Sequence, residues 1–477
     1  MDKHRKIVYD TLETMEKRRI SVKQLPNSKA VFESLPVPAA LRAMAIPTVI
    51  SQIIVLIYNM ADTFYIGRTE NPYMVAAASL ILPIFNLTLS LTGLAGIGGG
   101  TLISRLLGED ARQEAKRVSA FSIWLSIGLT AVFSLILAVF MRPLLYLLGA
   151  GENTYEFARQ YAFCVIVIGG VPTVLSNVLS NLLRSSGASR QAGFGIAMGG
   201  ILNILLDPLF MFVLLPRGQE VIGAGIATCL SNCFACLYFL GVIRRRRAQS
   251  VLGFRFHGKL PQKRSILSVF YVGIPASLTT LLFDLDYMVL DRLMVGYGDI
   301  ALAAVGIVLK VERLPLNVGV GICQGMIPLV AYNYTSGNHK RMKQVVHHAR
   351  LVGLIVAVCS IALYELGADC LIRFFIPDEQ TVLLGAAFLR IRILATPLMF
   401  MSFFTVYLFQ ALGRGERALL LGVVRWAGFN IPMLFLLNRL IGMYGLVWSQ
   451  TAADALAVIL SFIVYGAYSR KHLNFAD

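Results

Sequence analysis

The sequence has little charge and lacks the motifs of several soluble enzyme classes. Only 14% of its 477 residues are charged, 57% are hydrophobic, and the mean hydropathy is +0.69. That composition excludes an ordinary soluble globular domain. We find no P-loop, metal triad or nucleophile elbow, and the glycine run at 98–100 lacks the lysine that a phosphate-binding loop needs. The sequence therefore predicts neither an enzyme nor a bound cofactor or metal.

The cysteines are not spaced as in metal-binding or disulfide motifs. Cys229 and Cys233 share a helix face, but most of the seven cysteines sit inside apolar segments. We interpret them as small buried residues rather than metal ligands or disulfides. The first 35 residues lack the apolar core of a signal peptide, so no cleaved leader is predicted. We expect residues 1–35 to form a cytoplasmic tail that touches anionic lipid.

Long apolar segments are what the chain has in abundance. Each is far longer than the roughly ten residues of a membrane β-strand, and none alternates strictly, so helices are the economical interpretation. We count twelve candidate membrane spans. They cover roughly residues 40–65, 75–104, 118–141, 157–183, 191–215, 221–243, 265–293, 300–333, 345–371, 381–411, 416–438 and 442–468.

The apolar segments form an internal repeat with a period of about 225 residues. The stretch from Ile46 to Gly67 recurs, diverged, from Ile274 to Gly296, and each copy has a proline near its start and an aspartate near its end. Six spans return each unit to the same side, so the halves are related by an axis along the membrane normal. The predicted fold class is all-α, with twelve transmembrane helices in two pseudo-symmetric six-helix bundles. We place the lobes at 36–245 and 264–470, a basic linker at 246–263 and a C-terminal tail at 471–477.

The net charge of +17 is distributed as in a membrane protein rather than a nucleic-acid-binding one. Basic clusters occupy alternate loops, whereas the intervening loops carry mainly isolated cations. The positive-inside rule then predicts a multi-pass protein of the cell membrane with both termini in the cytoplasm. The clusters include Arg105, Arg112, Lys116 and Arg117, then Arg244 to Arg247, and then Lys340, Arg341 and Lys343.

Polar residues inside the first-half spans are candidates for function, because each is costly to place in a membrane. Asp62 lies on the first span, and Asn203 and Asp207 share one face of the fifth. Two carboxylates with amide and hydroxyl neighbours can ligate sodium or hold a proton, and the sequence does not choose between these ions. Alternatively, Asp62 ends a helix near the interface and Asp207 caps the turn before Pro208.

The second half carries a different set of intramembrane charges. Asp284 and Asp291 align on one face of the seventh span, while Lys310, Glu312 and Arg313 cluster on the eighth. Carboxylates of the seventh span could pair with these cations across the bundle, or the charges could contact the transported solute directly. Both alternatives stay open at this point.

Several short motifs recur along the chain as a set. They are Pro47 with Asp62 and Gly67, Gly108-Glu109-Asp110, Arg184-Ser185-Ser186-Gly187, Asn203 with Asp207-Pro208, and Gly223 to Thr228. Together they resemble the multidrug and toxic compound extrusion (MATE) family, in the style of its bacterial DinF/MepA-like branch. The likeness covers about residues 36–470. It implies a V-shaped pair of six-helix lobes that exports organic solutes in exchange for protons or sodium.

The resemblance also implies a coupling site. In this branch, the first-lobe cation site falls on Asp62, Asn181, Asn203, Asp207 and Thr228, with Asn177 as the alternative on the fourth helix. Pro47 resembles the proline at which the first helix bends.

The expected function is therefore a proton- or sodium-coupled antiporter that exports amphipathic or drug-like solutes by alternating access. We expect a functional monomer whose partners are a small organic substrate and membrane lipids, not nucleic acid. The charges at Lys310, Glu312 and Arg313 exceed what a generic exporter of cations would carry. A lipid-linked precursor flippase, or an exporter of a zwitterionic or anionic metabolite, is the alternative.

Overall fold

The protein is a bundle of long helices. A computed structural model describes residues 28–246, 250–256 and 259–472. Within this part of the chain, ten helices are long and apolar enough to cross a membrane, and two bent helix pairs bring the number of spans to as many as twelve. Most of the predicted tail at 1–35, the end of the C-terminal tail and parts of the predicted linker lie outside the described residues.

We number the spans α1 to α12. They are Val37–Gly67, Pro72–Gly108, Arg112–Leu147, the pair Glu152–Ile168 and Gly170–Ser185, Ser189–Leu214, Glu220–Arg245, Lys263–Tyr297, Asp299–Thr335, His339–Arg373, the pair Glu379–Ile393 and Thr396–Ala411, Gly415–Ile441, and Met443–His472. A short helix, Ser28–Glu33, precedes α1. We call α1 to α6 the N-lobe and α7 to α12 the C-lobe.

The two bent spans occupy equivalent places in the two lobes. Span α4 bends by 44° between Ile168 and Gly170, and α10 bends by 48° between Ile393 and Thr396. A proline follows each break, Pro172 in α4 and Pro397 in α10, and proline has no amide hydrogen to donate to the preceding turn. Each break therefore lies where the sequence already weakens the helical hydrogen-bond ladder.

The first turns of each lobe's leading helix pack into the hydrophobic core of the other lobe. Ala40 and Met44 of α1 belong to a hydrophobic core made mainly of C-lobe residues, including Met326 and Phe409. In return, Val269 of α7 is buried in the core of the N-lobe. The leading helix of each lobe thus has its first half embedded in the other lobe, which ties the two bundles together at one end.

Glycines allow these helices to cross closely. A Cβ atom built on Gly273 of α7 would lie 2.2 Å from the carbonyl oxygen of Leu94 on α2. In the equivalent crossing of α1 with α8, a Cβ on Gly321 would lie 2.7 Å from the Cα of Val49. Real Cβ atoms do not approach backbone this closely, so only glycine permits the observed interlobe distance.

The interlobe hydrogen bonds of the described residues lie between the middle of the spans and the end that carries the basic loops. Thr335 donates to the Arg105 carbonyl at 2.7 Å, and Ser277 donates to the Ser90 carbonyl at 2.7 Å. Ser265 donates to Glu114, also at 2.7 Å. The lobes are therefore joined at the basic end.

Two segments outside the spans strengthen this end. Phe32 of the short helix is buried and stacks on the Tyr332 ring of α8 at a centroid distance of 4.7 Å. Arg341 of α9 donates to the carbonyls of Phe32 at 2.8 Å and Leu35 at 2.6 Å, where the short helix leaves its last carbonyls unpaired. The chain just before α1 is thus fastened to the C-lobe.

The described part of the linker fastens to the N-lobe. Val251 and Leu252 are buried in its core, and Trp124 of α3 donates to the Phe254 carbonyl at 3.0 Å. Glu114 of α3 accepts from the Gln262 amide at 2.8 Å. The connection between the lobes therefore follows the surface of α3 before α7 begins.

Candidate coupling and solute sites

The first candidate site depends on close packing of α1 against α5. A Cβ on Gly193 would lie 2.4 Å from the Pro47 carbonyl, and one on Gly200 would lie 2.8 Å from the Ile54 side chain. These two glycines are seven residues apart and so share one face of α5. Because these glycines have no side chains, α1 can approach along this face. The approach brings Asp62 beside the second half of α5.

Four of the predicted coupling residues gather at this contact. Asp207 is fully buried, and one of its oxygens accepts from the Asn203 amide at 3.2 Å. The same amide nitrogen lies 3.4 Å from the Thr228 hydroxyl of α6. The carboxyl groups of Asp62 and Asp207 are close enough for direct interaction. Three helices therefore contribute oxygen atoms to one buried cluster.

The cluster has more acceptors than donors. Asp62 Oδ1, Asn203 Oδ1 and Asp207 Oδ2 are all buried and have no hydrogen-bond partner in the described part of the chain. Buried polar atoms normally have a partner, and two buried carboxylates repel each other when both are ionised. A proton or a sodium ion bound among these oxygens would satisfy them, so the donor set fits either coupling ion.

Neither aspartate ends a helix, as the alternative interpretation required. Span α1 continues from Asp62 to Gly67, and α5 continues past Pro208 to Leu214 through a π-helical segment. Such π-helical turns inside α-helices are frequent at functional sites. Both carboxyl groups therefore occupy helix interiors, where a terminal capping role is excluded.

Asn181, the fifth predicted coupling residue, makes its hydrogen bonds elsewhere. Its side-chain oxygen accepts from Arg184 Nη1 at 3.0 Å, and its amide donates to the Asn177 carbonyl at 3.0 Å. The amide of Asn177, the alternative residue, donates to the Thr173 carbonyl at 2.9 Å. The hydrogen bonds of the structure thus do not bring a fourth-span asparagine to Asp62 and Asp207, and its role in coupling stays a prediction.

Pro47 lies inside α1, ten residues after the helix begins. The neighbouring carbonyl of Met44 accepts two side-chain hydrogen bonds, from Thr48 at 2.9 Å and from Ser189 of α5 at 2.7 Å. Side-chain hydroxyl groups that hydrogen-bond to a helical carbonyl in this way often bend the helix. Pro47 also lies where α1 passes from the C-lobe core to the face of α5, so a bend there would move one half of α1 relative to the other.

Glu312 is the charged residue of the predicted C-lobe set that has an ion-pair partner in the described part of the chain. Glu312 accepts from Arg392 of α10 through both of its oxygens, each at 2.7 Å, and from the Tyr287 hydroxyl at 2.9 Å. No ion pair of the described residues joins Asp284 or Asp291 to the eighth-span cations. Glu312 therefore takes its cation from α10, and the two alternatives for Asp284 and Asp291, pairing with the eighth-span cations or contact with the solute, stay predictions.

The other predicted C-lobe residues are more exposed. Lys310 and Arg313 are exposed, and Asp284 and Asp291 are half-buried. The Arg313 guanidinium lies 5.7 Å from the centroid of the Tyr287 ring, a cation–π contact, and it acts electrostatically on both aspartates from longer range. None of these four residues hydrogen-bonds to Glu312, whose partners are Arg392 and Tyr287.

A second charge network, besides the Glu312–Arg392 pair, crosses the C-lobe core. Arg425 donates to Asp454 at 2.7 Å, and its guanidinium lies about 4 Å from the rings of Phe403 and Trp426. Gln450 donates to Asp454 at 2.6 Å. Asn430, which reaches Gln450 at 3.5 Å, donates to the buried Asp286 at 2.6 Å. The spacing of residues in the sequence does not predict this network, because its members come from three separate spans.

A cavity lies beside these two charge networks. It spans about 530 Å³ of non-protein space, part of which is open to the outside, and Glu312, Arg392 and Gln450 supply its polar wall. The rest of the wall is mainly apolar and aromatic. It includes Pro315, Leu316, Met399, Phe400 and Phe403. A mostly apolar wall with a few fixed polar groups is typical of a small-molecule site.

Comparison with known proteins defines the class. The MatE family model matches residues 47–209 and 275–436, one match in each lobe. The multidrug export protein MepA of Staphylococcus aureus (strain N315) is 31% identical over 91% of this chain and 94% of its own length. MepA of Staphylococcus saprophyticus is 30% identical over the same shares. The protein is thus a multi-pass membrane transporter.

The chain belongs to the MATE family, as its motifs predicted. Solved structures agree with this fold. An outward-facing multidrug resistance MATE transporter superposes with a TM-score of 0.88 at 21% identity, over 94% of this chain and 99% of that one. The Vibrio cholerae MATE transporter VcmN gives 0.86 at 20% identity, over 94% and 98%. The predicted fold class is confirmed.

Proposed function

We propose that this protein is an antiporter that exports organic, drug-like solutes across the cytoplasmic membrane in exchange for protons or sodium. The observation that carries the proposal is the buried cluster of Asp62, Asn203 and Asp207, which leaves three oxygen atoms without partners. Membership of a multidrug efflux family supports the export of organic solutes. The proton or sodium ion enters as the transported counter-substrate, not as a resident cofactor.

The coupling follows from the charge balance of the cluster. With the site empty, Asp62 and Asp207 repel each other inside a medium that screens charge weakly. A bound proton or sodium ion removes that repulsion and draws α1 toward α5. Because a ligand shifts a conformational equilibrium only by its differential affinity, the ion favours whichever lobe arrangement brings the two carboxylates closest.

The basic loops give the orientation of the closed end. By the positive-inside rule, the end joined by Thr335 and Arg105 faces the cytoplasm. The interlobe hydrogen bonds at this end support an outward-facing state, in which the cell interior is sealed off. Ions would then reach Asp62 from outside the cell, and solute would leave on that side.

Efflux from proteoliposomes tests the proposal. A fluorescent amphipathic cation is loaded inside, and its release is followed under an imposed proton gradient and then under an imposed sodium gradient. Wild-type protein is expected to respond to one gradient, and Asp62→Asn and Asp207→Asn are expected to lose that response. Asp299→Asn, which changes an exposed carboxylate at the start of α8, is the matched control.

Three results would change the conclusion. Gradient-driven efflux that survives both site variants would remove the cluster from the mechanism. Equal loss in the Asp299 control would indicate a folding defect rather than a coupling defect. Movement of a lipid-linked substrate without any gradient would favour the flippase alternative.

A further inference from the structure

Three arginines are buried in the described part of the chain, and only two of them have a carboxylate partner. Arg392 is paired with Glu312 and Arg425 with Asp454. Arg184 is only 6% exposed, yet no ion pair of the described residues includes it. An arginine cannot lose its charge inside a protein, so this positive charge is buried without compensation.

The surroundings of Arg184 are neutral and come from both lobes. Its Nη1 donates to Asn181 at 3.0 Å and to Gln324 of α8 at 3.1 Å, while its Nε is buried without a partner. The phenol of Tyr407, on α10, lies close to the guanidinium. Buried charges are ordinarily paired, and an unpaired one inside a membrane protein marks a pathway for ions or substrates.

Gln324 occupies the position that an anion would take. Its side-chain oxygen accepts from Arg184 and also from Gln52 of α1, at 3.3 Å. An amide oxygen with two converging donors, one of them charged, imitates one oxygen of a carboxylate. Because Gln324 belongs to the C-lobe and both donors belong to the N-lobe, separation of the lobes at the basic end would remove this oxygen and expose the guanidinium.

We propose that Arg184, with Gln52, binds the carboxylate of a zwitterionic solute when the basic end is open, and that Gln324 replaces this carboxylate when the end closes. The inference rests on the proposed export function and names a substrate class for it. Gln52 and Asp62 are ten residues apart on α1, so the carboxylate site lies about 15 Å from the coupling cluster. Closure of the basic end would then displace the solute from a site that is separate from the ion site.

Equilibrium binding to purified protein in lipid nanodiscs tests this without any gradient. The probes are tetramethylrhodamine, a zwitterion with a free carboxylate, and its methyl ester, a cation of nearly the same shape. Wild-type protein is expected to bind both. Arg184→Gln is expected to weaken binding of the acid by roughly tenfold or more relative to the ester, as for loss of a charge-assisted hydrogen bond.

Two further variants separate recognition from structure. Gln324→Leu removes the competing oxygen and is expected to tighten binding of the acid, the opposite sign to Arg184→Gln. Arg390→Gln makes the same change at a half-exposed arginine of α10 that is paired with Asp369, and it is expected to leave the ratio of acid to ester unchanged.

Failure of the inference differs from failure of the proposed function. Arg184 is not a carboxylate site if Arg184→Gln weakens binding of the acid and the ester equally, or weakens binding of neither. The same conclusion follows if wild-type protein does not bind the acid. Those results say nothing about coupling, because no gradient is applied. Loss of gradient response in Asp62→Asn, measured with the ester, tests coupling separately.

Discussion

The glycine contacts between the lobes predict how the conformational equilibrium can be shifted. In Gly273→Ala, the new methyl group would lie 2.2 Å from the Leu94 carbonyl oxygen, so α2 and α7 must separate by roughly 1 Å to restore ordinary contact. Overpacking of this kind costs about 1–3 kcal/mol. The cost falls only on the state in which the basic end is closed, so the ratio of closed to open protein should fall by about 5–150-fold.

A second variant tests the symmetry of the same argument. Gly321→Ala places its methyl group 2.7 Å from Val49 in the crossing of α1 and α8, which is a separate contact. Distant sites that share no partners have nearly additive effects, so the double variant should shift the equilibrium further than either single one. Gly306→Ala is the control, because a Cβ atom there meets nothing within 4 Å.

Spin-label distances between the basic loops measure the outcome. Labels at Glu109 and Asn338, two exposed positions in the α2–α3 and α8–α9 loops, report the separation of the lobes once the native cysteines are replaced. Gly273→Ala and the double variant should populate longer distances than wild type and the Gly306 control. A wild-type distance distribution in the double variant would show that these crossings do not hold the basic end closed.

Two other predictions concern stability. Glu312→Ala leaves Arg392 buried without its partner and should lower the free energy of unfolding by about 3–5 kcal/mol, seen as a lower Tm in nanodiscs. Glu379→Ala, at the exposed pair with Arg373, should cost about 1 kcal/mol or less, and equal losses in the two variants would contradict the role assigned to burial. Phe32→Ala should weaken docking of the short N-terminal helix by about 3 kcal/mol, so that limited proteolysis cuts before α1 while the spans stay intact. Unchanged proteolysis would mean that the Arg341 hydrogen bonds alone hold it.

The spans and the two-lobed fold could be predicted because they depend on local properties of the chain. Apolar length alone marks each span, and Pro172 and Pro397 mark where the fourth and tenth spans bend. Asp62 and Asp207 stand out for a similar reason, since each is a carboxylate within an otherwise apolar helix. Their approach to each other could be expected only through the family resemblance.

The arrangement of the other charges could not be predicted, because it depends on contacts between distant spans. Arg392 is 80 residues from Glu312, and nothing in the local sequence favours it over the nearer Lys310 or Arg313. Arg184 lies in a motif that reads as a turn, so its burial between the lobes has no sequence signal. The docking of Phe32 similarly requires the position of Tyr332, 300 residues further along the chain.

The buried charge pairs of the C-lobe also impose an order on its biogenesis. Glu312 enters the membrane with α8, but its cation arrives only with α10, and Arg425 of α11 must wait for Asp454 of α12. An unpaired charge in the middle of a membrane helix costs about 2.5–3.5 kcal/mol or more. We therefore expect α8 and α11 to reach their final positions only after α10 and α12 have supplied the opposite charges.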